Sequence, residues 1–230
     1  TVMSDAILKS AKDAVKEAEV KIDSKKKDIP HVTEELHTDV VVIGGGEAGL
    51  VAGCRALKLG KKVILVEKNG YLGGATILNG SNVTATGSKV AKNIFGDEAD
   101  NDTPEKLADD GRRESKDTNV PELTNLMANN IGDAIDFISE FAGLEYRKAQ
   151  TQTPEHSVER QVELPTSSSY EFITKVAKAF EEKGGQILLD SRVEEVITDG
   201  DKITGIVTEG KHKTTKIFAS AVVLASGGYG

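Results

Sequence analysis

Asp39-Val40-Val41-Val42-Ile43-Gly44-Gly45-Gly46-Glu47-Ala48-Gly49-Leu50 decides how this chain is read. Asp39 to Ile43 is a near-continuous β-branched run that stops at three glycines, as a strand buried on both faces of a parallel sheet does. Glu47 to Leu59 reads as a helix ended by Gly60, and Lys62 to Val66 is a second apolar run. Strand, helix and strand follow one another within roughly thirty residues, the size of a βαβ unit.

In that context Gly44 to Gly49 matches GxGxxG, the dinucleotide-binding fingerprint. Gly44 permits the tight turn, and Gly46, lacking a side chain, lets the backbone approach a pyrophosphate. The free N–H groups of Glu47 and Ala48 and the helix dipole favour negative charge there. Gly49, and Gly53 one turn later, allow close packing of helix on strand. Glu67, with Lys68 beside it, ends the second run, where an acid accepts hydrogen bonds from a ribose 2′-hydroxyl and repels a 2′-phosphate. A glycine-rich turn without a ligand is the alternative, and the flanking strands and Glu67 together weigh against it.

Further along, Gly73-Gly74-Ala75-Thr76 and the small, polar stretch Asn79 to Ser88, with Gly80 and Ser81, suit a chain that skirts a flavin. An ordinary surface loop has the same composition. Thr103 to Gly143 reads as helical. Tyr170 to Lys183 carries Phe172, Ile173, Val176, Ala177 and Phe180 on one helical face, and Ile187 to Leu189 reads as a third parallel strand. Arg192 to Ala219, broken at Asp199-Gly200 and Glu209-Gly210, predicts a three-stranded antiparallel meander, followed by a separate buried strand over Ala221 to Ala225. The fold class expected is α/β: a Rossmann-like domain with a parallel sheet and a small antiparallel meander, incomplete in this chain.

Ser4 to Ala18 predicts a short amphipathic helix with Ser4 as N-cap, either an appendage or the end of a preceding domain. The charged stretch from 21 to 37, with Lys25, Lys26 and Lys27, reads as a linker, so the expected domains are 1–20, the linker 21–37 and 38–230. The net charge of -8 over 230 residues argues against a dedicated nucleic-acid surface. A single cysteine, Cys54, excludes an internal disulfide, a structural zinc site and a Cys-x-x-Cys pair, so redox chemistry must come from a bound cofactor. Cys54 itself reads as a small buried residue. No apolar run is long enough to span a bilayer. The compartment expected is the cytoplasm, and a signal upstream of Thr1 stays open.

The order DVVVIGGGEAGL, VILVEK, GGATILNGS and VVLASGGYG resembles the fumarate reductase flavoprotein and soluble flavocytochrome family, over residues 38 to 230. The resemblance implies FAD, with Glu67 at the adenosine ribose and Gly73 to Ser81 along the flavin. It also implies a second contact from Ala225, Ser226 and Gly227, and a backbone contact of Val193 with adenine. Members that attach FAD covalently do so on a histidine in the loop matching Ala75 to Ser88, which has none, so non-covalent FAD is implied. The family's proton-donating arginine and most substrate-carboxylate ligands lie in a capping domain beyond Gly230, so the catalytic residues are not assigned within this chain. Implied for the intact protein are reduction of the C=C bond of fumarate or a related unsaturated carboxylate and an electron donor domain or protein. The alternatives are an FAD-dependent dehydrogenase or oxidase of ketosteroid or amino-acid type, and a nucleotide-binding fragment without turnover.

Thr1 to Ile7 is similar to the end of an FMN-binding domain, so the resemblance allows FMN in the intact protein. Thr1 is not carried over as a site, because the residues before it in that domain's motif are absent. His156 and Arg160 stand in a polar stretch, where approach to the flavin or an acidic substrate and a plain solvated loop are both open readings.

Overall fold

The computed structural model describes residues 2–18 and 29–228, and the chain divides into two compact units, 1–31 and 32–230. The first holds α1 (Val2–Glu17), with Ser4 inside the helix and not at its cap. The Lys25 to Lys27 linker reading and the likeness at Thr1 fall on residues outside those described.

In the second unit the elements are β1 (Val32–Ile43), α2 (Glu47–Lys58), β2 (Val63–Val66), β3 (Val83–Thr84), α3 (Lys89–Phe95), α4 (Pro104–Glu114) and α5 (Pro121–Ala142). There follow β4 (Arg147–Lys148), β5 (Gln161–Glu163), α6 (Ser169–Glu182), β6 (Gln186–Leu188), β7 (Arg192–Asp199), β8 (Lys202–Glu209) and β9 (Lys213–Leu224). A six-stranded sheet runs β6-β2-β1-β9-β8-β7. Its first four strands are parallel, and β8 and β7 join antiparallel. A second sheet, β3-β5-β4, is antiparallel. Among the described residues no helix is long and apolar enough to cross a membrane.

Alternation along the central strands builds two cores, because neighbouring side chains on a strand point to opposite faces. Val42, Val63 and Leu65 join α2, α5 and α6 through Leu50, Cys54, Ile138, Val176 and Phe180. Val41, Ile64 and Val66 pack on the other face with Ile206, Ile217 and Ala219.

Two expectations are corrected. The stretch 32–37 is not linker: β1 begins at Val32 and pairs with β9 from Val32↔Lys213 onward. Of the two apolar side chains in this stretch Val32 is exposed and Leu36 packs against the second core, so the period-2 signal is weak. The meander's last strand and the buried strand after it are one element, β9, because Ala219-Ser220-Ala221 contains no Gly, Pro, Asn or Asp to break it.

Candidate functional site

β1, β2 and β9 end side by side at the glycine turn. Gly44 N–H donates to the Val66 carbonyl and Ala225 N–H to the Ile43 carbonyl, both at 2.8 Å. Gly44 sits at φ +110, and a Cβ there would lie 2.3 Å from the Ala225 oxygen, so only glycine fits. A Cβ on Gly49 would lie 2.0 Å from the Gly44 carbonyl oxygen, which seats α2 directly on the turn. Gly53 faces differently from the expectation: a Cβ on it would lie 2.8 Å from the Phe180 ring of α6, so it admits a helix and not the strand. Gly45, a free position in the motif, is crowded by Leu72 Cδ2, 2.4 Å from where its Cβ would lie.

Gly46 is the opposite case. A Cβ there would meet nothing nearer than the Gly73 oxygen and Thr76 Oγ1, both at 3.8 Å, so protein atoms do not fill the space in front of the α2 N-terminus. Gly46 is extended and caps α2 without a side-chain bond. Glu47 N–H donates to Thr76 Oγ1 at 3.2 Å. Such an opening, rimmed by N–H groups at a helix start, has the shape and polarity to accept a pyrophosphate.

On one side of this opening lies a cavity of about 350 Å³, lined by Ile43, Gly44, Glu67, Lys68, Val193 and Ser226 among others. Glu67 is buried, and its carboxylate accepts from Gly45 N–H at 2.9 Å and Asn69 N–H at 2.8 Å. Each oxygen keeps a second lone pair for a ligand hydroxyl. The loop to β7 passes over it, with Ser191 N–H donating to the Glu67 carbonyl at 2.9 Å, which brings Val193 to the same cavity. Lys68 is exposed at the rim, as are Ser226 and Gly227.

On the other side a cavity of about 50 Å³ is lined by Glu47, Thr76, Asn79, Ser81, Tyr146 and Ser169, with four further residues. Gly73 N–H donates to the Gly45 carbonyl at 2.9 Å, and Gly73, at φ +119, and Gly74, at φ +49, bend the chain back toward the turn. Ala75 caps the short 3-10 helix that holds Thr76. Asn79 and Ser81 are tied to the start of α6. Asn79 Oδ1 accepts from Ser169 Oγ at 2.6 Å and from Ser81 N–H at 2.7 Å, while Leu164 N–H donates to Ser81 Oγ at 3.3 Å. Gly80 between them is exposed. Burial raises the Glu47 carboxyl above its ordinary value, and burial, followed by the charge of Glu47, raises the Tyr146 hydroxyl. Tyr146 gives no sequence signal, since its approach to Glu47 depends on the path of the chain between α5 and β4.

His156 and Arg160 are not brought to these cavities, nor are they a solvated loop. Arg160 is fully buried, in ion-pair contact with Asp102 at 3.0 Å and Asp110 at 2.9 Å. Its N–H groups are not aligned on either carboxylate as hydrogen bonds. Thr86 Oγ1 donates to Asp102, and Ser157 to Asp110 through both N–H and hydroxyl. His156 Nδ1 is buried without a hydrogen-bond partner, and burial, then the Arg160 charge, lowers the imidazole pKa.

Residues 39–230 match the family model described as FAD binding domain. Urocanate reductase of Eggerthella lenta is 30% identical over the whole of this chain and 39% of its own length. A probable fumarate reductase of Shewanella frigidimarina is 32% identical over 84% of this chain and 32% of its own. Among solved structures, the open conformation of a flavocytochrome c3 fumarate reductase superposes with a TM-score of 0.74, at 30% identity, over 85% of this chain and 34% of that one. The chain therefore spans well under half the length of these relatives. With the glycine turn, the hollow at Gly46 and a family match that begins at Asp39, the chain belongs to the FAD binding domain family, among flavoproteins related to the fumarate and urocanate reductases.

Proposed function

We propose that this chain is the nucleotide-holding part of a reductase that adds hydrogen across the C=C bond of fumarate or a related unsaturated carboxylate. The observation that carries the reading is the open space at Gly46 between two cavities, one holding Glu67 and the other Glu47 and Thr76. There the start of α2 would hold the pyrophosphate through Ala48 N–H, with Glu47 N–H reached only in exchange for its bond to Thr76 Oγ1, while Glu67 would meet the ribose hydroxyls and Val193 the adenine. The residues from Gly73 to Ser81 pass along the flavin half, and Ala225 to Gly227 touch the cofactor from β9. Bound non-covalently, FAD supplies hydride chemistry to such a reaction. The chain's own residues bind and orient it. The proton donor and the substrate-carboxylate ligands stand on parts of the intact protein that this chain does not include, as does the electron donor, for which FMN is one candidate. The length of the relatives supports that division.

The test loads the chain with FAD, photoreduces it without oxygen, and adds fumarate or urocanate. The reading expects retained FAD whose reduced spectrum persists with both compounds, and reoxidation by one of them in the intact protein. Fast reoxidation in this chain alone overturns the placement of the proton donor. Failure of the folded chain to bind FAD at any concentration overturns the cofactor site.

A further inference from the structure

Glu47 is an acid where the fold gathers positive potential for a phosphate. It is the first residue of α2, its N–H bonded to Thr76 and its side chain on the wall of the small cavity shared with Asn79, Tyr146, Ser169 and Phe172. The cavity holds about 50 Å³, room for one or two waters, and apart from Glu47 it is lined by neutral polar groups and the apolar Val83, Leu164 and Phe172. The titratable group facing Glu47 is Tyr146. Glu67 stands across Gly45, with its oxygens turned to Gly45 and Asn69 N–H. Among the described residues no Lys or Arg lines this cavity, so no side-chain cation there neutralises Glu47.

A pyrophosphate brings two negative charges to the same helix end. Although Glu47 as a whole is exposed, an ionised carboxylate there faces the like charge of the pyrophosphate at the same helix end, and the neutral acid is favoured. We propose that the chain takes up a proton at the Glu47 carboxyl when a dinucleotide seats its pyrophosphate on the α2 N-terminus, with the Tyr146 cavity holding the neutral acid. The inference rests on the reading of Gly44 to Gly49 as the pyrophosphate site. Burial already raises the Glu47 carboxyl in the free chain, the direction this requires. A group whose pKa rises on binding makes binding tight at low pH. The affinity then falls about tenfold per pH unit between the free and bound values, and levels off above the second.

The experiment is calorimetric titration of the full chain with FAD and with ADP from about pH 5.5 to 8.5, in buffers of different ionisation enthalpy, which counts protons taken up. Adenosine, which lacks the pyrophosphate, is the control. Wild type is expected to take up a fraction of a proton approaching one with FAD, and none with adenosine. Glu47→Gln is expected to bind FAD without uptake, with a flat pH profile and at least tenfold more tightly than wild type at the alkaline end. Uptake on FAD binding that persists in Glu47→Gln, or FAD binding by wild type with no uptake at any pH, overturns the proposal and leaves the FAD site standing; ADP, whose terminal phosphate titrates in this window, is read as the difference between wild type and Glu47→Gln. Binding of neither FAD nor ADP by either protein, with unchanged circular dichroism, overturns the site reading itself and the proposal with it. Tyr146→Phe keeps the cavity shape, and is expected to keep the uptake, since the charge that drives it is the ligand's.

Discussion

Glu67 acts on the turn as well as on the nucleotide. An acid at the end of the second strand is legible in the sequence as a ribose ligand, but its bonds to Gly45 and Asn69 N–H depend on how two loops return to it. Replacing Glu67 with Ala leaves the buried Gly45 N–H and the half-buried Asn69 N–H without that acceptor, at a cost of about 1–3 kcal/mol. Urea unfolding should show that loss, and gel filtration with FAD should show nucleotide retention reduced at least about tenfold, the equivalent of ~1.4 kcal/mol. Glu67→Gln, which keeps an acceptor, should lose less of both. Asp110 makes a pH prediction. Burial pushes its carboxyl up, but Ser157 N–H, Arg113 and the Ser157 hydroxyl outweigh that and hold it at about 2. Its folded pKa lies below the unfolded value of about 3.9, so its contribution is complete above that value and is lost as pH falls toward 2. Acid unfolding of Asp110→Asn followed by circular dichroism should therefore be less steep than wild type between those limits.

At the scale of elements, the βαβ unit is legible because its signals are local: a buried strand, glycines and a helix within one short span. The Asp102, Arg160 and Asp110 cluster is not, because its members come from the loop before α4, from α4 itself and from the residue before β5. In sequence, Arg160 is one charged residue in a polar stretch, and only the fold brings Asp102 and Asp110 to its guanidinium and Ala85 N–H to its carbonyl. The partner of Gly53 escapes the sequence for a related reason: helix spacing shows that a glycine makes room, but not for whom. Phe180 occupies that room and also lies against Gly185, where a Cβ would come within 2.2 Å of the ring. Fully buried between them, it couples α6 to α2. Phe180→Ala should cost about 3–5 kcal/mol in chemical unfolding, with the cavity it leaves as the main cause.

For the whole molecule, stability and nucleotide binding are linked by mass action. FAD at a hundredfold above its Kd should stabilise the chain by about 2.7 kcal/mol. At about 2–4 °C per kcal/mol for a domain of this size, that raises the thermal midpoint by roughly 5–10 °C in differential scanning calorimetry. Riboflavin, which lacks the ADP half, should leave the midpoint nearly unchanged. That result would place the affinity in the pyrophosphate and adenosine contacts, where this chain has most of its side-chain determinants.

β9 carries a consequence for time as well as for shape. Its twelve residues pair with β1 along their length and with β8 through Thr214 to Phe218, so the amides of this seam are enclosed on two sides. In deuterated solvent Val41, Val42 and Ile217 should be among the last to exchange, by global opening, while the exposed hairpin at Gly200 exchanges within local fluctuations. The glycine turn hangs from the end of β1, where Val40 to Ile43 pair with β2 on one side and with β9 on the other. Its geometry should accordingly persist through most partial openings of the chain, and a nucleotide arriving during them should meet a turn already in place.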